Sequence, residues 1–133
     1  MLLDNLFDRF RAHTDLAGRV MLSILFIVAG YGKIGGYDGT AGYMESMGVP
    51  GALLPLVILT ELGGGIAILL GLFTRPVAVA LAGFSVISGL IFHGGADQMS
   101  QIMLMKNIAM AGGFLVLAAN GAGAWSIDAK LRK

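Results

Sequence analysis

The segment from Leu53 to Phe73, LLPLVILTELGGGIAILLGLF, holds a single charged side chain, Glu61, near its middle. An apolar run of that length matches the roughly 20 residues a helix needs to cross a ~30 Å hydrocarbon core. Inside lipid no water is available to the backbone, so such a segment must satisfy its own peptide groups as a helix. At about 1.5 Å per residue Glu61 lies ~16 Å from Pro50, about half-way through the core. A charge at that depth costs roughly 3 kcal/mol on insertion scales, so an ionisable residue there marks a functional site by default.

The rest of the chain has the same character. Only 13% of its 133 residues are charged and 56% are hydrophobic, against roughly 25% charged in an average soluble domain. Mean hydropathy is +0.82. The 21 glycines suit helices packed closely through small side chains. A net charge of +1 gives no reason to expect nucleic acid. There is no cysteine, which rules out disulfides, thiolate metal sites and a catalytic thiol. No metal site is expected.

Residues 1–15 set Leu2, Leu3, Leu6, Phe7 and Phe10 on one helical face, with Asp4, Asp8, Arg9 and Arg11 largely on the other. This pattern predicts a short amphipathic helix in the membrane interface. It is too long and too acidic for a signal peptide, and no clear cleavage site follows. Residues 16–133 form the four-span domain. The first span is expected over Leu16–Ile34, with Arg19 and Lys33 snorkelling near its ends. Thr40–Met47 reads as a short surface helix stopped by Gly48. The second span runs from about Pro50 to Phe73, and Thr74-Arg75-Pro76 makes the return. The third covers Pro76 to about His93. The fourth runs from about Gln101 to Asn120, with Asp97 or Ser100 as its cap.

Four spans joined by short loops predict an all-α, antiparallel, integral membrane four-helix bundle with both termini on one side. Arg9, Arg11, Arg19, Arg75, Lys130, Arg132 and Lys133 fall on the terminal side; only Lys33 and Lys106 fall on the other. That bias predicts cytoplasmic termini.

This topology sorts the polar residues by depth. Tyr31, Lys33, His93, Lys106 and Asn107 share the half of the bundle away from the termini, with Glu61 below them. Alone in lipid a carboxyl takes up a proton; beside an ammonium it stays charged. By depth the expected partner is Lys106. Gly64 and Gly65 share the Glu61 face and leave room for a neighbouring backbone, a water or a flat ligand. Gly63, Ala67 and Gly71 form a separate small-residue seam. Each feature also has a plainer reading. Glu61 could tie helices together through Lys106 or Asn107. Lys33 and Arg19 read more readily as interface anchors. His93 could be a solvated residue, a proton relay or a ligand-facing group. Met99, Met103, Met105 and Met110 read as packing rather than a soft-metal stripe.

Several of these segments resemble the DoxX family. They are Arg19-Val-Met-Leu-Ser-Ile-Leu-Phe-Ile-Val-Ala-Gly-Tyr-Gly-Lys33, Glu61-Leu-Gly-Gly-Gly-Ile-Ala-Ile-Leu-Leu-Gly71 with Thr74-Arg75, Phe92-His93, Met105-Lys106-Asn107 and Ser126-Ile-Asp128. Tyr43-Met-Glu-Ser-Met-Gly-Val-Pro50 is similar to its small inner-membrane subgroup. The resemblance implies a four-helix protein of the bacterial inner membrane, related to a membrane subunit of a thiosulfate- and quinone-linked oxidoreductase. It points to Glu61, Lys106 and Asn107 first, then Arg19, Lys33 and His93. The expectation is therefore an accessory subunit of a quinone-linked system. Quinone is its conceivable cofactor, and oxidoreductase subunits or further copies of the chain its partners within the lipid bilayer. A small proton-coupled carrier and a purely structural assembly protein are the alternatives. A cavity touching Glu61 would favour a ligand; a packed core would favour structure.

Overall fold

Four helices long and apolar enough to cross a membrane dominate the chain: α2 (Arg11–Gly35), α4 (Gly51–Leu70), α5 (Thr74–Phe92) and α6 (Gln98–Asn120). The computed structural model describes residues 2–132. Met1 and Lys133, the outermost residues of the expected amphipathic segment and basic tail, lie outside the described residues. Three shorter helices complete the fold: α1 (Leu2–Arg9), α3 (Tyr37–Ser46) and α7 (Ile127–Leu131). Among the described residues there is no strand, so the all-helical expectation holds.

Helix ends follow local chemistry. Asp97 accepts a hydrogen bond from the Ser100 backbone N–H at 3.1 Å, so Asp97 caps α6 and the helix begins at Gln98 rather than Gln101. Hydrogen bonds from the Ser100 side chain and then its backbone N–H hold the carboxyl below the usual range. Gly71 closes α4 in the left-handed conformation, φ 69°, as expected of a helix C-terminal glycine. The return is therefore Gly71–Phe73. Thr74-Arg75-Pro76 forms the first turn of α5 instead of the loop, where a proline lacks no needed donor. No side chain of α1 is buried; Leu2, Leu3 and Phe7 are exposed along with the rest of its apolar face.

The helices approach closest where a glycine removes a side chain. A Cβ on Gly30 of α2 would stand 2.8 Å from the Leu62 backbone nitrogen of α4, and one on Gly65 would stand 2.9 Å from Ile27. These two positions, rather than Gly63, form the α2–α4 seam, and Gly71 leaves room for the Arg19 guanidinium and Ser126. Gly63 is exposed and meets only Leu59 of its own helix. The dry core sits in the half of the bundle nearer the termini, where Phe26, Ile68, Ala78, Leu81, Ala82, Ala111 and Phe114 pack together. Phe26 meets Phe114 edge-on at 5.4 Å between ring centres.

Residues 121–131 fold back over the return between α4 and α5. Arg19 is buried there, 1% exposed. Its Nη1 donates to the Ile68 and Leu69 carbonyls at 3.2 and 3.0 Å, and its Nη2 to the Trp125 carbonyl. A guanidinium at a helix C-terminus satisfies orphan carbonyls and opposes the negative end of the dipole. Arg19 is thus a structural anchor, but by internal hydrogen bonding, not by snorkelling. Asp128 accepts from the Phe73 and Thr74 backbone N–H groups at 2.7 and 2.8 Å, and its own N–H donates to the Gly71 carbonyl at 2.9 Å.

Burial disfavours the Asp128 carboxylate, but the Thr74 and Phe73 amides and nearby Arg132 outweigh it and lower its pKa. A lowered carboxyl pKa stabilises the fold above the ordinary value of about 3.9 and is lost as pH falls through the folded value. Amide exchange at Phe73 and Thr74 should therefore stay slow at neutral pH and lose protection only on acidification below that ordinary value. In Asp128→Asn the same amides should be less protected at neutral pH already.

Candidate functional site

Glu61 sits on a π-helical turn, Leu59–Gly63, inside α4. Such turns widen the helix by one residue and often mark functional positions. The turn aims the carboxylate inward: Glu61 is 7% exposed. Its Oε1 lies 2.7 Å from Lys33 Nζ and accepts no well-aligned hydrogen bond from the described residues. The partner of Glu61 is therefore Lys33 of α2, not Lys106 of α6.

The mismatch has a geometric cause. Glu61 stands ten residues, about 15 Å, into α4, yet it faces the last turn of α2. The two helices do not end at one level, because α3 intervenes between them. Residue counting from a common membrane surface placed Lys33 too shallow.

The pair lines a cavity of about 360 Å³ in the half of the bundle away from the termini. That volume is at the lower end of the usual range for small-molecule sites. Lys33, Glu61, His93, Lys106 and Asn107 all contribute to its wall. Leu25, Phe26, Phe84 and Met110 supply much of the apolar lining. Over the far end lies α3, whose Met44 is 3% exposed and whose Tyr43 stacks on Phe92 of α5 with ring centres 5.6 Å apart.

Asn107 is 6% exposed and has a fixed role in packing. Its Nδ2 donates to the Ser85 carbonyl at 3.0 Å and to Ser88 Oγ at 3.4 Å, tying α6 to α5. Gly89 makes room for it: a Cβ there would stand 3.1 Å from Asn107 Cβ. His93 is the residue after α5 and is half-buried. Lys106 is exposed, and among the described residues it has no ion pair or hydrogen-bonded partner.

Three expected site residues stand apart from the cavity. Tyr31 is 72% exposed; it follows Gly30, and the next residue of a helix lies about 100° further round. Gly64 faces Leu81, whose Cδ2 would lie 3.0 Å from an added Cβ. Gly65 takes the backbone of Ile27. The space at these glycines is filled by neighbouring helices, so it holds no ligand. The residues missed by sequence reasoning are Tyr43, Phe92, Ser85 and Ser88. Tyr43 and Phe92 belong to segments with a family likeness, which was the one available signal.

The DoxX family model matches residues 14–94. Inner membrane protein YqjF of Escherichia coli (strain K12) is 54% identical over 119 residues, covering 89% of this chain and 92% of YqjF. Inner membrane protein YphA of the same organism is 38% identical over 121 residues, covering 85% and 86%. A Bacillus subtilis (strain 168) protein named "Putative oxidoreductase CatD" is 32% identical over 100 residues, covering 70% and 73%. No solved structure matches the chain.

Proposed function

The chain belongs to the DoxX family and is a multi-pass inner-membrane protein, and from that premise we propose that it is an accessory membrane subunit of a quinone-linked oxidoreductase system. The observation that carries the reading is the Glu61–Lys33 pair set in the wall of an apolar, aromatic-lined cavity. An acid and an amine on a water-poor wall offer a proton donor and a hydrogen-bond partner to a ring oxygen. A bound quinone would supply the electron-carrying chemistry. The chain's own residues hold the ring against the wall that Phe26 and Phe84 form together, shield it under α3, and place Glu61 or Lys33 against an oxygen. With no cysteine in the chain, a partner subunit delivers the electrons. The relative named as an oxidoreductase is consistent with that role. On the charge bias of the loops the termini face the cytoplasm and the cavity the outer leaflet.

Decylubiquinone should bind the purified protein saturably, and Glu61→Gln should weaken that binding about tenfold, the scale of one charge-assisted hydrogen bond. Equal binding by both proteins, or none by either, would falsify the reading. The π-turn at Glu61 favours a second one, a small proton-coupled carrier, because interrupted helices with a buried acid recur in transporters. The two are told apart by solute movement across sealed vesicles, which a subunit does not require.

A further inference from the structure

The cavity's charges do not balance. Two lysines, Lys33 and Lys106, and one acid, Glu61, are among the residues of its wall; His93 and Tyr43 are the other titratable residues lining it. Glu61 is taken by Lys33 at 2.7 Å. Lys106 is left over, eight residues into α6 and about 12 Å from its start. A lysine at that depth either stretches to the interface or meets an anion.

The cavity's sides are lined mainly by apolar side chains. Across the far end, Tyr43 stacks on Phe92 and Met44 is buried, which narrows that approach. On the sides the helices diverge. Nearer the termini α2 and α6 meet through Leu22 and Gly113 and through Phe26 and Phe114. Further along, Leu25 and Ala29 of α2 and Lys106 and Met110 of α6 line the cavity instead. Leu25 is 42% exposed and Ile87 and Ile91 of α5 are 61% and 39% exposed, although all three also line it. Apolar side chains that reach both the cavity and the outer surface of a membrane helix describe a side entrance from the acyl chains.

We propose that the cavity binds a membrane-dissolved ring compound with a single negative charge, admitted sideways from the bilayer beneath α3 and held by Lys106. The aromatic wall of Phe26, Phe84, Phe92 and Tyr43 favours a flat ring. The unanswered ammonium favours one anionic group on it. This inference rests on the reading of the cavity as a ligand site and narrows the ligand's chemistry.

The probes are 2-naphthoate and its neutral methyl ester, matched in ring and differing in charge. Binding is measured in nanodiscs of zwitterionic lipid, so that no lipid anion competes. The quantity read is the acid-to-ester affinity ratio, compared between proteins so that membrane partitioning cancels. In Lys106→Met the ratio should fall about tenfold relative to wild type, and Lys106→Arg should keep it, since both cations answer one carboxylate. A ratio unchanged in Lys106→Met, or no binding of naphthoate to wild type, overturns the proposal. Decylubiquinone titrated into wild type in the same discs reports separately on the quinone reading. Naphthoate binding without quinone binding removes that function and leaves this ligand class standing. Quinone binding with an unaltered ratio removes only the present inference.

Discussion

Arg19→Met is expected to be among the most destabilising single substitutions in this protein, on the order of 3–5 kcal/mol. One guanidinium answers three carbonyls, those of Ile68, Leu69 and Trp125, at the C-terminus of α4 and in the fold-back segment. Methionine fills much of the volume but donates nothing. Three acceptors then lose their partner, the Ile68 carbonyl in a fully buried position, and a buried acceptor costs about 1–3 kcal/mol when left unmade. Arg19→Lys should recover less than half of the loss, because a single ammonium lacks the rigid fork that spans two helix carbonyls and a third group at once. Unfolding of the purified protein in detergent, followed by loss of helical circular dichroism, gives the ranking. Two variants as stable as wild type would show that the C-terminal segment is held by other contacts.

The second large effect concerns the pair inside the cavity. Lys33→Met should cost about 3 kcal/mol or more, because it strands a carboxyl that is 9% exposed at the side chain. Glu61→Gln should cost less, since Lys33 is 28% exposed and its long stem can carry the ammonium elsewhere. The double substitution should lose much less stability than the sum of the two single losses. Replacing both members of a buried pair by groups that need no partner is often close to neutral. Additive losses in the double variant would show that the two side chains do not interact.

These two sites also show where the sequence is readable. The spans stand out because apolar runs of that length have one use. Asp97, Gly48 and Gly121 mark element ends through local backbone chemistry. Glu61 stands out because a lone acid in an apolar helix is costly wherever its partner lies. What sequence does not contain is relative helix depth. Lys33 and Arg19 have the same appearance, a basic residue near the end of an apolar helix, and both look like interface anchors. Long-range packing separates them: α3 sets the end of α2 opposite Glu61, and the fold-back of residues 121–131 seals Arg19 from water. Gly64 and Gly65 show the same limit. A gap beside a carboxylate and a gap for a neighbouring helix are identical in sequence, and only the approach of Ile27 and Leu81 decides between them. Nothing in the letters Leu59–Gly63 announces a π-turn either.

On the proposed function the buried pair serves a ligand and is not merely a tie between α2 and α4. Its most direct test is decylubiquinone titrated side by side into wild type and the Lys33→Met/Glu61→Gln protein, with stability measured on the same samples. The double variant should fold nearly as well as wild type and bind at least about tenfold more weakly. A double variant that folds as well and binds as tightly would contradict it.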